Sequence, residues 1–278
     1  MSNRVIETDE LATASPEAPA RSRRPRWRWF ALGLVLVVTL AVGVGLWLFF
    51  RDDAPDEVSL TSAIENLDAG EETVDTAAGT ATTVEAEAVA ATDGSITGEW
   101  LVDTDAGDFD YESATGSFAG FRIEEELRSI GSTTAVGRTG EITGSITIDG
   151  TVMTAASFEI DLTTITTETS NRDDNVQDAL ETDEFPTAVF TMTEPVELGD
   201  AAADGEPVSV VAAGEMTIHG VTNPVDFAVD AQLVDDLVVA VGTTEIVFSD
   251  YGVEVPQGGP VISVDDFGVV EWQVLLRR

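Results

Sequence analysis

The sequence contains no cysteine and no lysine, and it has a single histidine, His219. Without cysteine the chain forms no disulfide and has no thiolate nucleophile, and without lysine it forms no Schiff base. One histidine also excludes any multi-histidine metal site. His219 is therefore the only candidate for a histidine base. Because it follows an alternating strand at a turn, we interpret it as a structural turn residue.

Basic residues of any kind are scarce. Thirteen arginines stand against 52 acidic residues, and the formal net charge is −39. Seven of the arginines lie before residue 52, so the remainder of the chain is strongly acidic. Such a surface repels nucleic acid and anionic lipid. The sequence therefore predicts no nucleic-acid partner.

One long apolar run interrupts this polar composition. Phe30 to Phe50 is uncharged over 21 residues and would span ~31 Å as a helix, which is one bilayer. Six arginines within the first 28 residues precede it, so residues 1–28 are predicted to be a cytoplasmic basic tail and 29–50 a transmembrane signal anchor with the C-terminal part exported. A cleaved signal peptide is the alternative, but Leu46–Phe50 lacks the small residues of a cleavage site.

Residues 51–97 are acidic, rich in alanine and threonine, and contain no aromatic residue. Such a segment cannot bury enough surface to fold alone, so it is predicted to be a flexible linker with a reach of ~35–40 Å. Within it, Leu60, Ile64 and Leu67 share one helical face after Ser59, which predicts a short helix on the membrane-proximal surface.

We expect protease added to intact cells to release a soluble fragment that begins between Asp52 and Thr97.

Residues 98–278 are predicted to form one all-β domain. Its clearest segment is Gly214–Val229, where Met216 and Ile218 alternate with polar residues before a predicted loop, His219–Pro224, and a second alternating strand. Asp149-Gly150 is a hairpin turn. The other predicted strands are Glu99–Asp103, Phe121–Leu127, Ile142–Thr154, Phe158–Leu162, Ala188–Met192, Val208–Ile218, Val225–Leu233, Leu237–Val241, Glu245–Phe248 and Val269–Leu276.

One helix interrupts these strands. Ser170 is its predicted cap, and Val176, Ala179 and Leu180 share a face. Because an antiparallel sheet of eight or more strands leaves two exposed edges unless it closes, we predict a lipocalin-like antiparallel barrel of about eight strands with one short crossing helix.

The candidate ligand-binding residues are the large apolar residues at the alternate strand positions that are predicted to face the barrel interior. A barrel of this size either fills its interior with side chains or holds one small ligand, and the sequence leaves both open. The candidates are Phe121, Ile123, Phe158, Ile160, Leu162, Phe190, Met192, Met216, Ile218, Phe227, Phe248 and Trp272, with Val229 on the same parity.

No metal, cofactor or catalytic group is predicted. The densest carboxylate cluster, Asp103–Glu112, has its glycine at the fifth position and fails the spacing of a calcium-binding EF-hand loop. We interpret it as a solvated loop. The abundance of acids gives no particular pair suited to glycosidase chemistry, so the prediction is a protein without enzymatic activity.

Several short motifs occur in the order of a known family. They are Trp100-x-x-Asp103, Gly116-Ser-Phe118-x-Gly-Phe121, Val136-Gly-Arg138-Thr, Gly144-Ser-Ile146, Arg172-Asp173, Phe185-Pro186-Thr-Ala-x-Phe190, Asp266-Phe267-Gly268 and the segment around His219, in which Met216 replaces the usual leucine. Together they resemble the YceI-like polyisoprenoid-binding family. The resemblance implies a lipocalin-like barrel with an apolar tunnel that holds an isoprenoid chain, without catalytic activity.

The chain departs from this pattern in its first long strand. Many family members have a histidine there, whereas this sequence has Phe121-Arg122-Ile123-Glu124. A headgroup contact by that histidine is therefore not expected. The leading hypothesis is a membrane-tethered extracytoplasmic module that binds an isoprenoid or similar lipid. The alternative is a surface or adhesion domain with a filled barrel. A continuous tunnel would favour the first, and a packed interior the second.

Overall fold

The structure is a computed structural model that describes residues 54–74, 95–127, 131–255 and 261–278. All of these residues belong to one compact unit, Asp52–Arg278. The predicted basic tail and anchor, residues 1–50, lie outside the described residues, as does much of the predicted linker. Within the described ranges, no helix combines the length and the apolar character needed to cross a bilayer.

The described residues form twelve strands, three α-helices and two short 3₁₀ helices. The strands are β1 Gly98–Val102, β2 Phe118–Leu127, β3 Gly131–Thr139, β4 Ile142–Asp149, β5 Val152–Asp161, β6 Thr187–Met192, β7 Val196–Glu197, β8 Val208–Ile218, β9 Val221–Val234, β10 Leu237–Val247, β11 Val261–Val264 and β12 Phe267–Arg277. The helices are α1 Leu60–Val74, α2 Ser170–Leu180 and α3 Asp200–Ala203, and the 3₁₀ helices are Leu162–Thr164 and Phe248–Tyr251.

Eight strands close into an antiparallel barrel. In order around the wall they are β1, β4, β5, β6, β8, β9, β10 and β12, and β12 pairs back to β1. The closing contact is short, with Leu101 opposite Arg277 and Val102 opposite Leu276. Closure removes the exposed sheet edges that would otherwise invite pairing with other chains. The predicted barrel of about eight strands with one short crossing helix is confirmed.

Three further strands, β2, β3 and β11, extend this wall at one end, whereas β7 pairs with the start of β5. β2 pairs with residues 269–273 of β12, beyond the closing contact, and β3 pairs along the whole of β2. β11 continues the line of β12 against the end of β2, with an irregularity between Val261 and Ser263. The sequence did not predict β3 or β11 as strands. The hairpin of β2 and β3 therefore forms a flap of sheet that prolongs the barrel on one side.

The hairpin of β8 and β9 is tighter than predicted. Its turn is only His219-Gly220, and φ is positive at both residues (52° and 72°), as a two-residue turn that fits the twist of the strands requires. The predicted loop His219–Pro224 is therefore wrong, because β9 begins at Val221. Pro224 lies opposite Glu215. Since β9 pairs with β10 only from Ala228 onward, the missing N–H of Pro224 costs no ladder hydrogen bond.

Other strand boundaries also differ from the prediction. Leu237–Val241 and Glu245–Phe248 are parts of one continuous strand, β10, because Gly242 and Thr243 stay in register with β12. Leu162 and Phe248 were predicted as strand residues, but each begins a 3₁₀ helix. These tight turns redirect the chain at the end of the barrel near α2.

The helix predicted within the linker exists, but it packs on the barrel. Ser59 caps α1, since its Oγ accepts a hydrogen bond from the Ser62 N–H at 3.2 Å. Ala63 of α1 is fully buried against the outer side of β10 and β12. We call this contact the outer core; its buried members are Ala63, Leu237, Val239, Val241 and Leu275. Residues 54–67, which the sequence assigns to the linker, are thus packed on the barrel, because β10 presents apolar side chains on both faces and the outer face requires a cover.

Beside the outer core lies a buried ion cluster. Glu271, which is 0% exposed, accepts hydrogen bonds from Arg138 Nε at 2.9 Å and Nη2 at 2.6 Å. Arg122 Nη1 stands 3.6 Å from the same carboxylate oxygen. Arg138 also donates to the Asp56 carbonyl oxygen at 2.8 Å and lies over the Phe118 ring. The cluster thus joins β2, β3 and β12 to the segment that leads into α1.

The crossing helix α2 begins one residue earlier than a Ser170 cap requires. Thr169 occupies the N-cap position without a side-chain cap bond, and Ser170 is already helical. Asp173 instead accepts hydrogen bonds from the Thr167 N–H and hydroxyl. The predicted apolar face is confirmed: Val176, Ala179 and Leu180 pack on the barrel core.

Candidate ligand-binding site

Aromatic side chains inside the barrel lie directly against glycines of neighbouring strands. A Cβ added to Gly242 would stand 2.1 Å from the Trp272 ring, which no real side chain tolerates. Glycine in a strand interior permits this close approach because it has no side chain of its own. The pairs are Gly242 with Trp272, Gly214 with Phe190, Gly144 with Phe158, Gly137 with Phe121 and Gly268 with Phe248. These rings are therefore held close to the wall.

Four of the interior rings meet across the lumen. The ring centroids of Phe158 and Trp272 are 6.1 Å apart, those of Phe227 and Trp272 5.9 Å, and those of Phe190 and Phe227 5.2 Å. Such separations are those of aromatic rings in contact. Each contact joins two strands that are not neighbours in the wall. We call these four residues the ring partition, because together they span the barrel interior.

An apolar chamber lies on each side of the ring partition. The α2 chamber, of about 100 Å³, lies at the end crossed by α2, and the α3 chamber, of about 80 Å³, lies at the end covered by α3. On the same scale a single water needs roughly 10–15 Å³, so both exceed ordinary packing defects. Phe158, Phe190 and Trp272 line both chambers. The interior is thus neither a continuous tunnel nor a filled core.

A third space continues from the α2 chamber beneath α2. This side pocket of about 130 Å³ shares Phe121, Leu180, Phe248 and Val253 with the α2 chamber. Unlike the chambers it has a polar rim, where Arg172 forms an ion pair with the buried Glu125 at 2.5 Å. Burial raises the pKa of the Glu125 carboxyl, and the nearby Arg172 only partly offsets this effect.

The structure places most of the predicted ligand-binding residues on these spaces. The α2 chamber is lined by Phe121, Phe158, Ile160, Leu162, Phe190, Met216, Ile218, Phe227, Phe248 and Trp272. Ile123 lines the side pocket, and Val229 lines the α3 chamber. Met192 is buried in the same core but does not line any of the three spaces. The residues predicted to face inward therefore come together around the two chambers and the side pocket, with Met192 as the exception.

Much of the α3 chamber was not predicted. Small residues line it at Ala156, Ala212, Ala231 and Ala240, together with aliphatic residues such as Ile146 and Val274. Alanine carries little hydrophobic signal, and an inward glycine carries none. A regular occurrence of glycine and alanine on the inward parity of strands would have been the available signal, because it marks where the interior is left open.

One polar group inside the α2 chamber was also missed. Tyr251 is 2% exposed, and its hydroxyl has no hydrogen-bond partner among the described residues. The neighbouring Asn223 amide donates to the Asp250 carbonyl oxygen at 3.0 Å. Burial raises the pKa of the Tyr251 phenol, and the charge of Asp250 raises it further. The hydroxyl is therefore neutral at physiological pH.

His219 lies at the α2 end and is engaged on both sides of its ring. Nδ1 lies 3.2 Å from the Tyr251 carbonyl oxygen, and Nε2 lies 3.1 Å from Glu181 Oε2. The Phe185 ring meets the imidazole edge-on. These contacts agree with the structural turn role predicted for this residue, since they tie the hairpin turn to the 3₁₀ helix Phe248–Tyr251 and to the end of α2.

The charged groups of the predicted acidic loop take part in local contacts. Asp103 accepts hydrogen bonds from the Asp105 N–H and from Arg277, and Asp110 accepts one from the Glu112 N–H.

In the part of the chain that the structure describes, no three histidine, cysteine or acidic side chains converge as metal ligands. The site thus consists of apolar walls, and burial of apolar surface is the interaction that it can offer.

The model of one protein family matches most of the chain. Residues 73–274 match the family described as YceI-like domain. No curated protein matches the sequence.

Three solved structures are similar to parts of the chain. A polyisoprenoid binding domain from Saccharophagus degradans implicated in plant cell wall breakdown is 20% identical, with 64% of this chain and 97% of that chain covered at a TM-score of 0.48. BcnA from Burkholderia cenocepacia is 15% identical, with 63% and 98% covered at 0.46. The YceI protein of Campylobacter jejuni is 18% identical, with 51% and 84% covered at 0.43.

Proposed function

Since the chain belongs to the YceI-like family, we propose that it binds an isoprenoid or a similar apolar chain inside its barrel. The observation that carries the proposal is the α2 chamber, whose 22 lining residues include only two with polar side chains, Thr139 and Tyr251. An apolar space with room for several waters offers them few hydrogen-bond partners, and filling it with hydrocarbon is therefore favourable.

Burial of the chain supplies the affinity. Each methylene-sized unit removed from water contributes roughly 0.8 kcal/mol. A prenyl chain of a few isoprene units therefore overcomes the cost of association without a salt link. The rings held against the wall reduce the entropic cost of association, because these side chains do not need to be ordered when the prenyl chain binds.

The ligand is proposed to be uncharged at its polar end. Arg122 and Arg138 lie outside the barrel and face Glu271, and Arg172 at the rim of the side pocket faces Glu125 and Glu168. A phosphate would have to displace one of these carboxylates in a strongly acidic protein, which costs free energy. A neutral prenyl alcohol meets no such barrier.

A binding role without catalysis fits the groups around the chambers. The α2 chamber offers Thr139 and a neutral Tyr251 as its polar side chains, and His219 is already hydrogen-bonded outside it. General acid–base catalysis needs a group poised to exchange a proton with the substrate. We therefore propose a carrier or binding module.

Uptake of a fluorescent prenyl alcohol by the full chain tests the proposal. Replacing Phe158 or Phe227 with aspartate places a charge in the lumen and should abolish uptake, whereas the exposed change Asp226→Asn should leave it intact. Because a charge in the core can also unfold the barrel, Leu180→Glu at the half-buried end of α2 provides a milder second variant, and thermal melts verify folding. The proposal is wrong if the folded wild-type protein takes up no prenyl alcohol or other apolar ligand.

The module is further proposed to be membrane-tethered and extracytoplasmic. The sequence of Phe30–Phe50 and the arginines before it support this proposal, through their length and their charge asymmetry. Protease added to intact cells should cut the chain between Asp52 and Thr97, as an immunoblot of the C-terminal fragment would reveal. Protection of the chain until the cells are lysed would contradict this topology.

A further inference from the structure

We infer that the ring partition sets the length of apolar chain that the barrel accepts. This inference rests on the proposed binding of an apolar chain in the α2 chamber and adds a limit to it. The partition closes the α2 chamber on the side of the α3 chamber, so a chain that fills the α2 chamber and the side pocket cannot extend into the α3 chamber. The favoured ligands are then short prenyl chains, and the partition residues determine this preference.

The rings of the partition form a continuous series of contacts. Phe158 contacts Trp272, Trp272 contacts Phe227, and Phe227 contacts Phe190. The residues come from β5, β6, β9 and β12, and each contact joins strands that are not neighbours in the wall. Rings with centroids 5.2–6.1 Å apart are in contact, so an apolar chain cannot pass between the two rings of a pair.

Glycines of the wall hold the partition in place. Gly242, Gly144 and Gly214 leave room on the wall that the rings of Trp272, Phe158 and Phe190 occupy. Each ring is backed by main chain instead of a mobile side chain. A ring so confined cannot swing aside without losing this contact, so the barrier is rigid and does not open readily when a ligand arrives.

Free space exists beyond the partition. The α3 chamber is nearly as large as the α2 chamber, about 80 Å³ against about 100 Å³. Ile96, Leu198 and Ala202 line it. If the partition were removed, a longer chain would gain about 80 Å³ of apolar space beyond the α2 chamber. Trp272 lines both chambers and has two ring contacts, so its removal should join them most completely.

The test compares prenyl alcohols of increasing length, from geraniol through farnesol and geranylgeraniol to longer members. Radiolabelled alcohols are bound to the full chain held in amphipathic polymer, and polymer without protein gives the blank. In the wild type, affinity should rise with length and then stop rising when the α2 chamber and the side pocket are full. In Trp272→Ala the rise should continue for at least one further member, with a gain of about tenfold or more, since several additional methylene-sized units become buried.

Two variants separate this effect from general loosening of the fold. Ala156 lines the α3 chamber and not the α2 chamber, so Ala156→Leu should leave the wild-type length limit unchanged. Combined with Trp272→Ala, it should restore the original limit by filling the opened space. If Trp272→Ala does not fold, as judged by its thermal melt, Phe158→Leu replaces it as the opening variant.

The outcomes are distinguishable. If the wild type and the opened variants stop gaining affinity at the same length, the partition does not set the limit, although the proposed binding function stands. If the double variant keeps the longer limit, the gain does not come from the α3 chamber and the inference is overturned. If the wild type binds no prenyl alcohol of any length, the proposed function itself fails.

Discussion

The two faces of the barrel wall around β12 differ in how they are packed. On the inner face, Trp272 and Val274 border chambers that leave space for a ligand. On the outer face, Glu271 and Leu275 are both 0% exposed and lie under α1 and the segment before it. The outer face of β12 is thus tightly packed, whereas its inner face borders open space. The interior is therefore open although the protein packs the other face of the same strand tightly.

A division of roles follows from this difference. Filling an interior increases stability because every buried methylene contributes, and leaving it open sacrifices that contribution. The outer core and the ion cluster supply buried contacts that do not obstruct the chambers. Stability should therefore depend more on the outer face, and ligand binding on the inner face.

The largest effect is expected at the ion cluster. Glu271→Ala leaves Arg138 and Arg122 buried without their carboxylate, which should lower the free energy of unfolding by about 3–5 kcal/mol. Denaturant unfolding of the full chain measures this loss. Glu245 is exposed on the neighbouring strand β10, so Glu245→Ala is the matched control and should change stability by less than about 0.5 kcal/mol.

The assignment of stability to the outer face fails if the two glutamate variants are equally stable. Glu271→Gln sharpens the test, because its amide oxygen can still accept hydrogen bonds from Arg138 while the charge is lost. It should fall between the wild type and Glu271→Ala. Prenyl alcohol binding by the folded fraction should be unchanged in all three variants, since the cluster does not border the chambers.

A smaller effect is expected on the inner face. Gly242→Ala places a methyl group where the Trp272 ring now lies and should cost about 1–3 kcal/mol through overpacking. It should also displace the ring and disturb the chain-length limit, which Glu271→Ala should not. Denaturant unfolding and the prenyl alcohol series measure the two consequences.

A double variant identifies the cause of the Gly242→Ala effect. If the clash with the indole is responsible, most of the destabilisation should disappear when Gly242→Ala is made in the Trp272→Ala background, because the two residues are in direct contact. Equal costs in both backgrounds would mean that the backbone of β10 requires glycine at this position for another reason.

The sequence predicted the barrel well wherever large apolar residues alternate. Val208–Ile218 is a strand with the predicted bounds, and the hairpin at Asp149-Gly150 is present, with its turn at Gly150-Thr151. β3 was missed because Gly131–Thr139 consists mainly of small and polar residues, and its pairing with β2 is a tertiary contact. The outer core was missed because the consecutive apolar residues Leu237–Val241 predict a strand but do not indicate which segment covers its outer face.

The candidate site was predicted only in part, for a related reason. Phe158, Phe227 and Trp272 are conspicuous on the inward parity, so the rings were found. Their assembly into a partition depends on distances between strands that are not neighbours, and sequence patterns do not contain these distances. The space around them depends on glycine and alanine, which hydrophobic periodicity overlooks.

The packing of α1 on β10 has a consequence for any cut in the chain between α1 and β1. Cleavage there would separate the polypeptide into two pieces without separating the folded assembly, because Ala63 and its neighbours stay buried on the barrel and Arg138 still donates to the Asp56 carbonyl oxygen. The two pieces would behave as a complementation pair, and their association would weaken on dilution since the intact chain no longer keeps α1 at high local concentration. After such a cleavage the barrel therefore stays attached, through α1, to the part of the chain that precedes α1, until α1 dissociates.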